Sequence, residues 1–191
     1  MIISYHGAEC FKISQGNLVL VLNPQSKMSA DITLFSANRA LPAEALAKAG
    51  FIVDGPGEYE IKDVFVRGFL SEGVNKKINT IYLISFEGMN LCFLGALSDP
   101  KLSDTTLESI EDVDILFVPV SGAETLEPAS AYKLAVSLEP SVIIPMYYTK
   151  ATLEQFFKEG GEAKVESLDK FVVKKKDLEG KEGEIVVLKE E

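Results

Sequence analysis

Hydrophobic and polar positions alternate through the first half of the chain with the period of two that marks β-strands. β-Branched and aromatic runs occupy Met1–Ser14 and Asn17–Asn23, parted by Gln15-Gly16, a polar break suited to a hairpin. The pattern returns over Asp31–Ser36, Phe51–Asp54, Glu58–Ile61, Val64–Phe69, Ile78–Phe86 and Asn90–Leu94. One helix interrupts this meander, from Pro42 to Ala49, because its Ala-rich run ends at Gly50, a natural stop. After Gly95 the rhythm changes to alternating helix and strand. Thr105-Thr106-Leu107-Glu108 reads as a capping box, and the helix it opens yields to a strand at Asp114–Val120. Pro128 opens a helix over Pro128–Leu138 and Pro140 closes it. Val142–Met146 is continuously apolar, as a strand covered on both faces should be. A last helix, Thr152–Glu159, starts with a second box between Thr152 and Gln155 and stops at Gly160-Gly161, and the polar tail keeps strand-like pieces at Phe171–Val173 and Ile185–Leu188.

A β-rich half followed by a half of alternating helices and strands predicts a mixed α/β (α+β) fold of packed sheets covered by helices. No linker or repeat interrupts residues 1–191, so a single domain is expected. At this length, with 47% hydrophobic residues, the chain can bury roughly 70% of the surface its unfolded form exposes and needs no metal or disulfide merely to fold. The 19 basic against 29 acidic residues leave a net charge of −10, which repels polyanions, so neither nucleic acid nor an anionic membrane surface is expected as a partner. Cys10 and Cys92 are too few for a disulfide framework and are expected to be ordinary buried residues. No signal-peptide core precedes Glu9 and Lys12, and apolar runs such as Leu18–Leu22 and Ile115–Val120 fall far short of the roughly 20 residues of a membrane helix. A cytoplasmic protein is expected.

The chemistry is bounded by an absence. His6 is the single histidine of the chain, and imidazole is both the commonest metal ligand and the usual base near neutral pH. On one extended strand His6 and Cys10 would lie roughly 13 Å apart, too far for a nucleophile and its base, so a dyad requires the strand to break. Asp54-Gly55-Pro56-Gly57-Glu58-Tyr59-Glu60 is glycine-rich, but Pro56 lacks an amide hydrogen and no Lys or helix follows, so it reads as a tight turn instead of a phosphate loop. Its carboxylates Asp54, Glu58 and Glu60 are oxygen donors for Mg²⁺ or Ca²⁺ only if the fold brings them together. Ser121-Gly122 lacks the spacing of a nucleophile elbow, and Lys174-Lys175-Lys176 reads as a solvated edge.

The order of segments nevertheless resembles the small stand-alone members of the metallo-β-lactamase superfamily, from about Ile2 to Tyr148. Gly7-Ala8-Glu9-Cys10-Phe11 is similar to that family's opening Gly-His-x-Cys-Phe strand, and Leu20-Val21-Leu22-Asn23-Pro24 to the strand ending Asp-Pro. The turn at Asp54–Ile61 resembles its central turn, and Phe93-Leu94-Gly95-Ala96 its Leu-Gly-Asp step. Val118-Pro119-Val120 and Ile144-Pro145-Met146-Tyr147-Tyr148 resemble its late strands. The resemblance implies a four-layer αββα sandwich and, in the family, zinc-dependent hydrolysis. Where the family carries Thr-His-x-His-x-Asp-His, however, this chain reads Ser36-Ala37-Asn38-Arg39-Ala40-Leu41-Pro42. By the same correspondence the next His falls near Leu70, the bridging Asp on Ala96 and the last His on Tyr147. None of Ala37, Arg39, Leu41, Pro42, Leu70 and Ala96 is a metal ligand, and Arg39 would oppose a dication.

The resemblance therefore implies a vacated pocket at Ala37, Arg39, Leu41, Pro42, Leu70, Ala96 and Tyr147, with no catalytic residue, metal or cofactor expected. The expected function is that of a metal-free binding or assembly module on a hydrolase fold. The alternative is a hydrolase with a non-standard site, drawing on Asp54, Glu58 or Asp99 with Tyr147, or with chemistry supplied by a partner subunit in a homo- or hetero-oligomer.

Overall fold

A computed structural model of the chain describes residues 1–37, 46, 48–161 and 165–191. In chain order the strands are β1 (Ile2–Tyr5), β2 (Phe11–Gln15), β3 (Leu18–Leu22), β4 (Ile32–Leu34), β5 (Phe51–Val53), β6 (Gly57–Ile61), β7 (Val64–Glu72), β8 (Ile78–Phe86) and β9 (Met89–Phe93). They continue with β10 (Ile115–Pro119), β11 (Val142–Met146), β12 (Ser167–Leu168), β13 (Phe171–Val172), β14 (Glu184–Ile185) and β15 (Val187–Leu188). The helices among the described residues are α1 (Asp104–Ser109), α2 (Pro128–Ser137) and α3 (Lys150–Glu159), with short 3₁₀ turns at Val74–Lys76 and Lys175–Leu178.

The strands form two large sheets, as the mixed α/β pattern requires. The first runs β13-β1-β2-β3-β4-β5, the second β14-β11-β10-β9-β8-β7-β6, and β12 pairs with β15 in a small third ladder. Alternation decides which side chains meet between the large sheets. Ile3, Phe11, Ile13, Leu20, Leu22 and Leu34 project from the first, and Val66, Tyr82, Ile84, Phe93, Phe117 and Ile144 from the second, to form one buried cluster. The Phe11 and Phe117 rings join the sheets with centroids 4.7 Å apart, and Phe93 meets Phe117 edge-on at 6.1 Å. The other face of the second sheet carries Ile81, Leu83, Cys92, Leu116, Val118 and Ile143, which pack with Ala131, Leu134 and Ala135 of α2 and Phe156 and Phe157 of α3. Strands β10 and β11 are thus buried on both faces, which is why they read as unbroken apolar runs.

Several expected boundaries shift, each for a local reason. Met1–Ser14 is two strands. Gly7 at φ +86° and Ala8 at φ +49° turn the chain, and the His6 amide donates to the Cys10 carbonyl at 2.8 Å. The helix expected to start at Thr105 is capped by Ser103, whose Oγ accepts from the Thr106 amide at 3.2 Å, so the cap lies two residues before the one expected. Likewise Thr149 caps α3, and its box partner is Thr152. The helix expected over Pro42–Ala49 falls largely outside the described residues. At its end the Ala49 amide donates to the Leu46 carbonyl, and Gly50 stands at φ +64° where a Cβ would lie 2.2 Å from the Asp31 carbonyl oxygen. The lysine run is not simply solvated. Lys175 reaches both oxygens of Asp114 at 2.7 Å, tying the C-terminal segment to the start of β10.

Candidate functional site

Strand direction gathers the resemblance-derived positions at one end of the sandwich. Strands β9, β10 and β11 are parallel neighbours, so Ala96, just past β9, and Tyr147, just past β11, leave the same edge two strands apart, roughly 10 Å by strand spacing. Leu70, near the end of β7, pairs with Thr80 near the start of the antiparallel β8, which begins at that same edge. The first sheet arrives there too, since the Thr80 amide donates to the Ser36 carbonyl at 2.6 Å and Ala37 follows Ser36. The described members of the set are therefore Ala37, Leu70, Ala96 and Tyr147. Arg39, Leu41 and Pro42 lie outside the described residues.

What surrounds these positions is a closed hydrogen-bond network. Asn79, fully buried, donates to the Leu94 carbonyl at 2.9 Å and to the Ser71 hydroxyl at 2.8 Å, and accepts from the Ala96 amide at 3.0 Å. Asn23 donates to the Ser36 hydroxyl at 2.7 Å and accepts from the Ser36 amide at 2.8 Å. Gly95, at φ +60°, lets the two units meet, because a Cβ there would stand 2.5 Å from both Asn79 Oδ1 and Ser36 Oγ. Asn79 was not singled out from the sequence. Its one signal is an amide side chain in an otherwise apolar and β-branched strand, where asparagine is disfavoured unless it replaces ladder or loop hydrogen bonds.

At the β11 end, Tyr147 takes a left-handed backbone, φ +54°, held by its amide donating to the Ala8 carbonyl at 2.7 Å and its hydroxyl donating to Glu124 Oε2 at 2.8 Å. Beside it lies a cleft of about 530 Å³ whose lining includes Tyr5, Ser121, Tyr147, Tyr148, Thr149 and Glu190. The Tyr5 and Tyr148 rings stack with centroids 6.1 Å apart. Their hydroxyls are both used inward, Tyr5 donating to the Ala8 carbonyl at 2.9 Å and Tyr148 to the Leu188 carbonyl at 3.1 Å. Burial first pushes both phenols above their ordinary range, with Tyr148 and then Glu190 adding to it at Tyr5 and Glu190 adding to it at Tyr148, so both keep their protons. Neither Glu124, Tyr148 nor Glu190 was marked as a site residue by the sequence.

The remaining candidates do not assemble. Asp54, Glu58 and Glu60 are exposed around a turn, and Asp99 is exposed and accepts from the Lys101 amide within its own turn at 2.9 Å. Among the described residues no three His, Cys, Asp or Glu side chains converge as a metal could use them. The break at Gly7-Ala8 brings His6 back opposite Cys10, yet no dyad forms. His6 Nε2 lies 3.1 Å from the Ser4 hydroxyl, whereas the Cys10 thiol points to Met28 Sδ at 3.6 Å. Burial pushes the Cys10 thiol up to about 11 and Cys92 to about 12, so neither is a thiolate near neutrality. These shifts fix a sign. Native thiols hold their protons more tightly than unfolded ones, whose value is 9.0, so the stabilisation is whole below pH 9 and is lost as pH rises through 11. Urea midpoints measured from pH 7 upward should accordingly hold to about pH 9 and then fall; a flat profile to pH 11 contradicts this burial.

A family described as Beta-lactamase superfamily domain matches residues 2–147. A UPF0173 protein of Pyrococcus furiosus is 31% identical over 105 residues, covering 53% of this chain and 48% of that protein, so the match spans about half of the curated relative's length. A Thermotoga maritima protein assigned to the Zn-dependent hydrolases of the metallo-β-lactamase superfamily shares the fold with a TM-score of 0.81 and 26% identity, over 98% of this chain and 97% of its own. Igni18, a metallo hydrolase of Ignicoccus hospitalis, superposes with a TM-score of 0.60 at 15% identity, over 91% and 99% of the two chains, a likeness of fold alone. With three quarters of its sequence matched, and two facing sheets that superpose on such proteins from end to end, the chain belongs to the metallo-β-lactamase superfamily.

Proposed function

We propose that this chain is a metal-free binding or assembly module on a hydrolase fold, in which the positions that correspond to the family's metal ligands, read from the sequence as Ala37, Arg39, Leu41, Pro42, Leu70, Ala96 and Tyr147, do not hold the metal centre the fold family implies. The observation that carries the reading is the chemistry of the donors. Ala37, Leu70 and Ala96 present carbon where first ligands would stand, and the phenol of Tyr147 is committed to Glu124. The neighbouring polar groups of Asn23, Ser36 and Asn79 are spent on one another and on backbone, so they are not a replacement ligand set. These residues do not fit a zinc pair. Without a metal to bring a water pKa from 15.7 to about 7, no hydroxide forms there near neutrality.

The second reading is a hydrolase with a non-standard or partner-completed site. The comparisons favour it, because relatives across this fold are assigned as metal-dependent hydrolases. One experiment separates the two. Protein purified without chelator is assayed for bound metal and then melted with Zn²⁺, Mn²⁺ or Mg²⁺ in excess. Substoichiometric metal and no saturable rise in Tm are expected, whereas one retained ion per chain, or a saturable rise of several degrees, would overturn the binding reading in favour of the hydrolase.

The same proposal has the chain working as one domain over residues 1–191 and in the cytoplasm. Supporting this, Cys10 and Cys92 are free and buried, and none of the described helices is long and apolar enough to cross a membrane.

A further inference from the structure

We infer that the open edge of β6 takes up an extended peptide segment carrying lysine or arginine at alternate positions, which adds to the second sheet as one more strand. The inference goes beyond the reading of the mouth, because it concerns a sheet edge and holds whether or not a metal is retained there. It starts from the edges themselves. The two large sheets end in β13, β5, β14 and β6. Strands β13 and β14 are two residues long and β5 three, whereas β6 runs five residues, Gly57–Ile61, in unbroken register with β7. No strand pairs with β6 on its far side, and no loop hydrogen bond among the described residues reaches Glu58 or Glu60. A long unpaired edge is a template for a further strand.

The hairpin decides which groups this edge offers. Lys62 and Asp63 form a two-residue turn with φ +52° and +63°, so Ile61 and Val64, which flank it, are a hydrogen-bonded pair. Alternation makes Tyr59 with Val66 and Gly57 with Gly68 the next such pairs, and leaves the amides and carbonyls of Glu58 and Glu60 directed outward. The same alternation turns Tyr59 and Ile61 against the core between the sheets and puts both carboxylates on the other, exposed face, roughly 7 Å apart. Neither carboxylate forms an ion pair among the described residues.

Charge chooses between occupants. If β6 met β6 of a second copy about a two-fold axis, the strands would be antiparallel, and the outward residues would pair only as Glu58 with Glu58, Glu58 with Glu60 or Glu60 with Glu60. Every such register sets like charges opposite each other, which destabilises the pair. An incoming strand with cations at i and i+2 meets both carboxylates on one face, and the net charge of −10 favours its approach. Phe65, exposed and cross-strand from Glu60, helps line a cleft of about 270 Å³ with Glu58 and Leu83, which gives the aliphatic stems of such cations apolar surface. Arg67, across from Glu58, is drawn away, its guanidinium donating to the Ser109 carbonyl at 3.0 Å.

The probe is an acetylated, amidated peptide, Gly-Ser-Thr-Lys-Val-Lys-Thr-Ser-Gly, titrated into the full chain by calorimetry at low ionic strength. Saturable one-to-one binding is expected, and none when both lysines of the peptide are replaced by glutamate. Methylating the two lysine amide nitrogens keeps the charge and removes two ladder hydrogen bonds, and should weaken binding about tenfold or more. Glu58→Gln combined with Glu60→Gln should weaken it about threefold to tenfold, the worth of two exposed ion pairs. Glu154→Gln combined with Glu159→Gln, an equal loss of charge on exposed positions of α3, should leave it unchanged. Hydrogen exchange at the Glu58 and Glu60 amides should slow when the peptide saturates. No saturable binding, a methylated peptide as tight as its parent, or an equal loss in both glutamine pairs would overturn the inference. So would a dimer of the chain that the peptide disperses, since that assigns the edge to a second copy.

Discussion

Replacing Phe117 with alanine is expected to destabilise the protein by about 3–5 kcal/mol, the range for deleting a fully buried aromatic ring. Phe117 has no exposed surface, and its ring is the point at which β10 of the second sheet meets Phe11 of the first and Phe93 of its own sheet. Truncation removes contacts on both sides at once. The β10 backbone cannot collapse into the space, because parallel pairing holds it to β9 and β11. Against a total stability of about 5–15 kcal/mol this is a large fraction, so a urea midpoint well below that of the parent protein is the expected reading. A loss under about 1 kcal/mol would mean that the two sheets do not share a tightly packed core at this point.

Replacing Asn79 with alanine is expected to cost about 2–4 kcal/mol, from polar groups left without partners and not from lost volume. The buried Ala96 amide loses its acceptor, and the Leu94 carbonyl loses a donor. Because Gly95 fits closely against Asn79 and Ser36, the segment that carries Ala96 should also loosen. Hydrogen exchange at the Ala96 amide is therefore the more specific readout, with protection expected to drop towards that of a surface loop. Asn79→Asp is expected to be no better, since a carboxylate cannot donate to the Leu94 carbonyl and would be buried without a counter-charge. If Asn79→Ala leaves both stability and Ala96 protection unchanged, the network at the mouth has no structural weight.

The architecture was largely legible in the chain because its signals are periodic. Alternation marked β7 and β8, and unbroken apolar runs marked β10 and β11 as covered on both faces. Boundaries set by a single side chain were less legible. Ser103 and Thr149 each sit a few residues before another Ser or Thr able to cap, and which hydroxyl wins depends on where the incoming chain can turn. The turn after Tyr5 was missed because the strand-like run resumes at Cys10-Phe11 directly after the short His6-Gly7-Ala8-Glu9 stretch, and the positive φ angles of Gly7 and Ala8 are visible only in the folded chain.

That Ala37, Leu70, Ala96 and Tyr147 stand where the family would carry metal ligands is a proposal drawn from residue identity along the sequence. What occupies their neighbourhood was not visible in that way. Asn23, Ser36, Asn79 and Gly95 lie far apart along the chain, and Glu124, Tyr148 and Glu190 come from three separate segments.

The sequence by itself determined the element types, the apolar faces that make two sheets adhere, and the absence of a histidine set for metal chemistry. Each of these is written in local spacing or in the identity of single residues. The tertiary structure alone decided that Asn79 closes a network, that Lys175 pairs with Asp114, and that Tyr5 and Tyr148 spend their hydroxyls on the Ala8 and Leu188 carbonyls. The reason is that hydrogen-bond partnership and burial of charge depend on distances between residues remote in sequence, and those distances exist only once the sheets have packed.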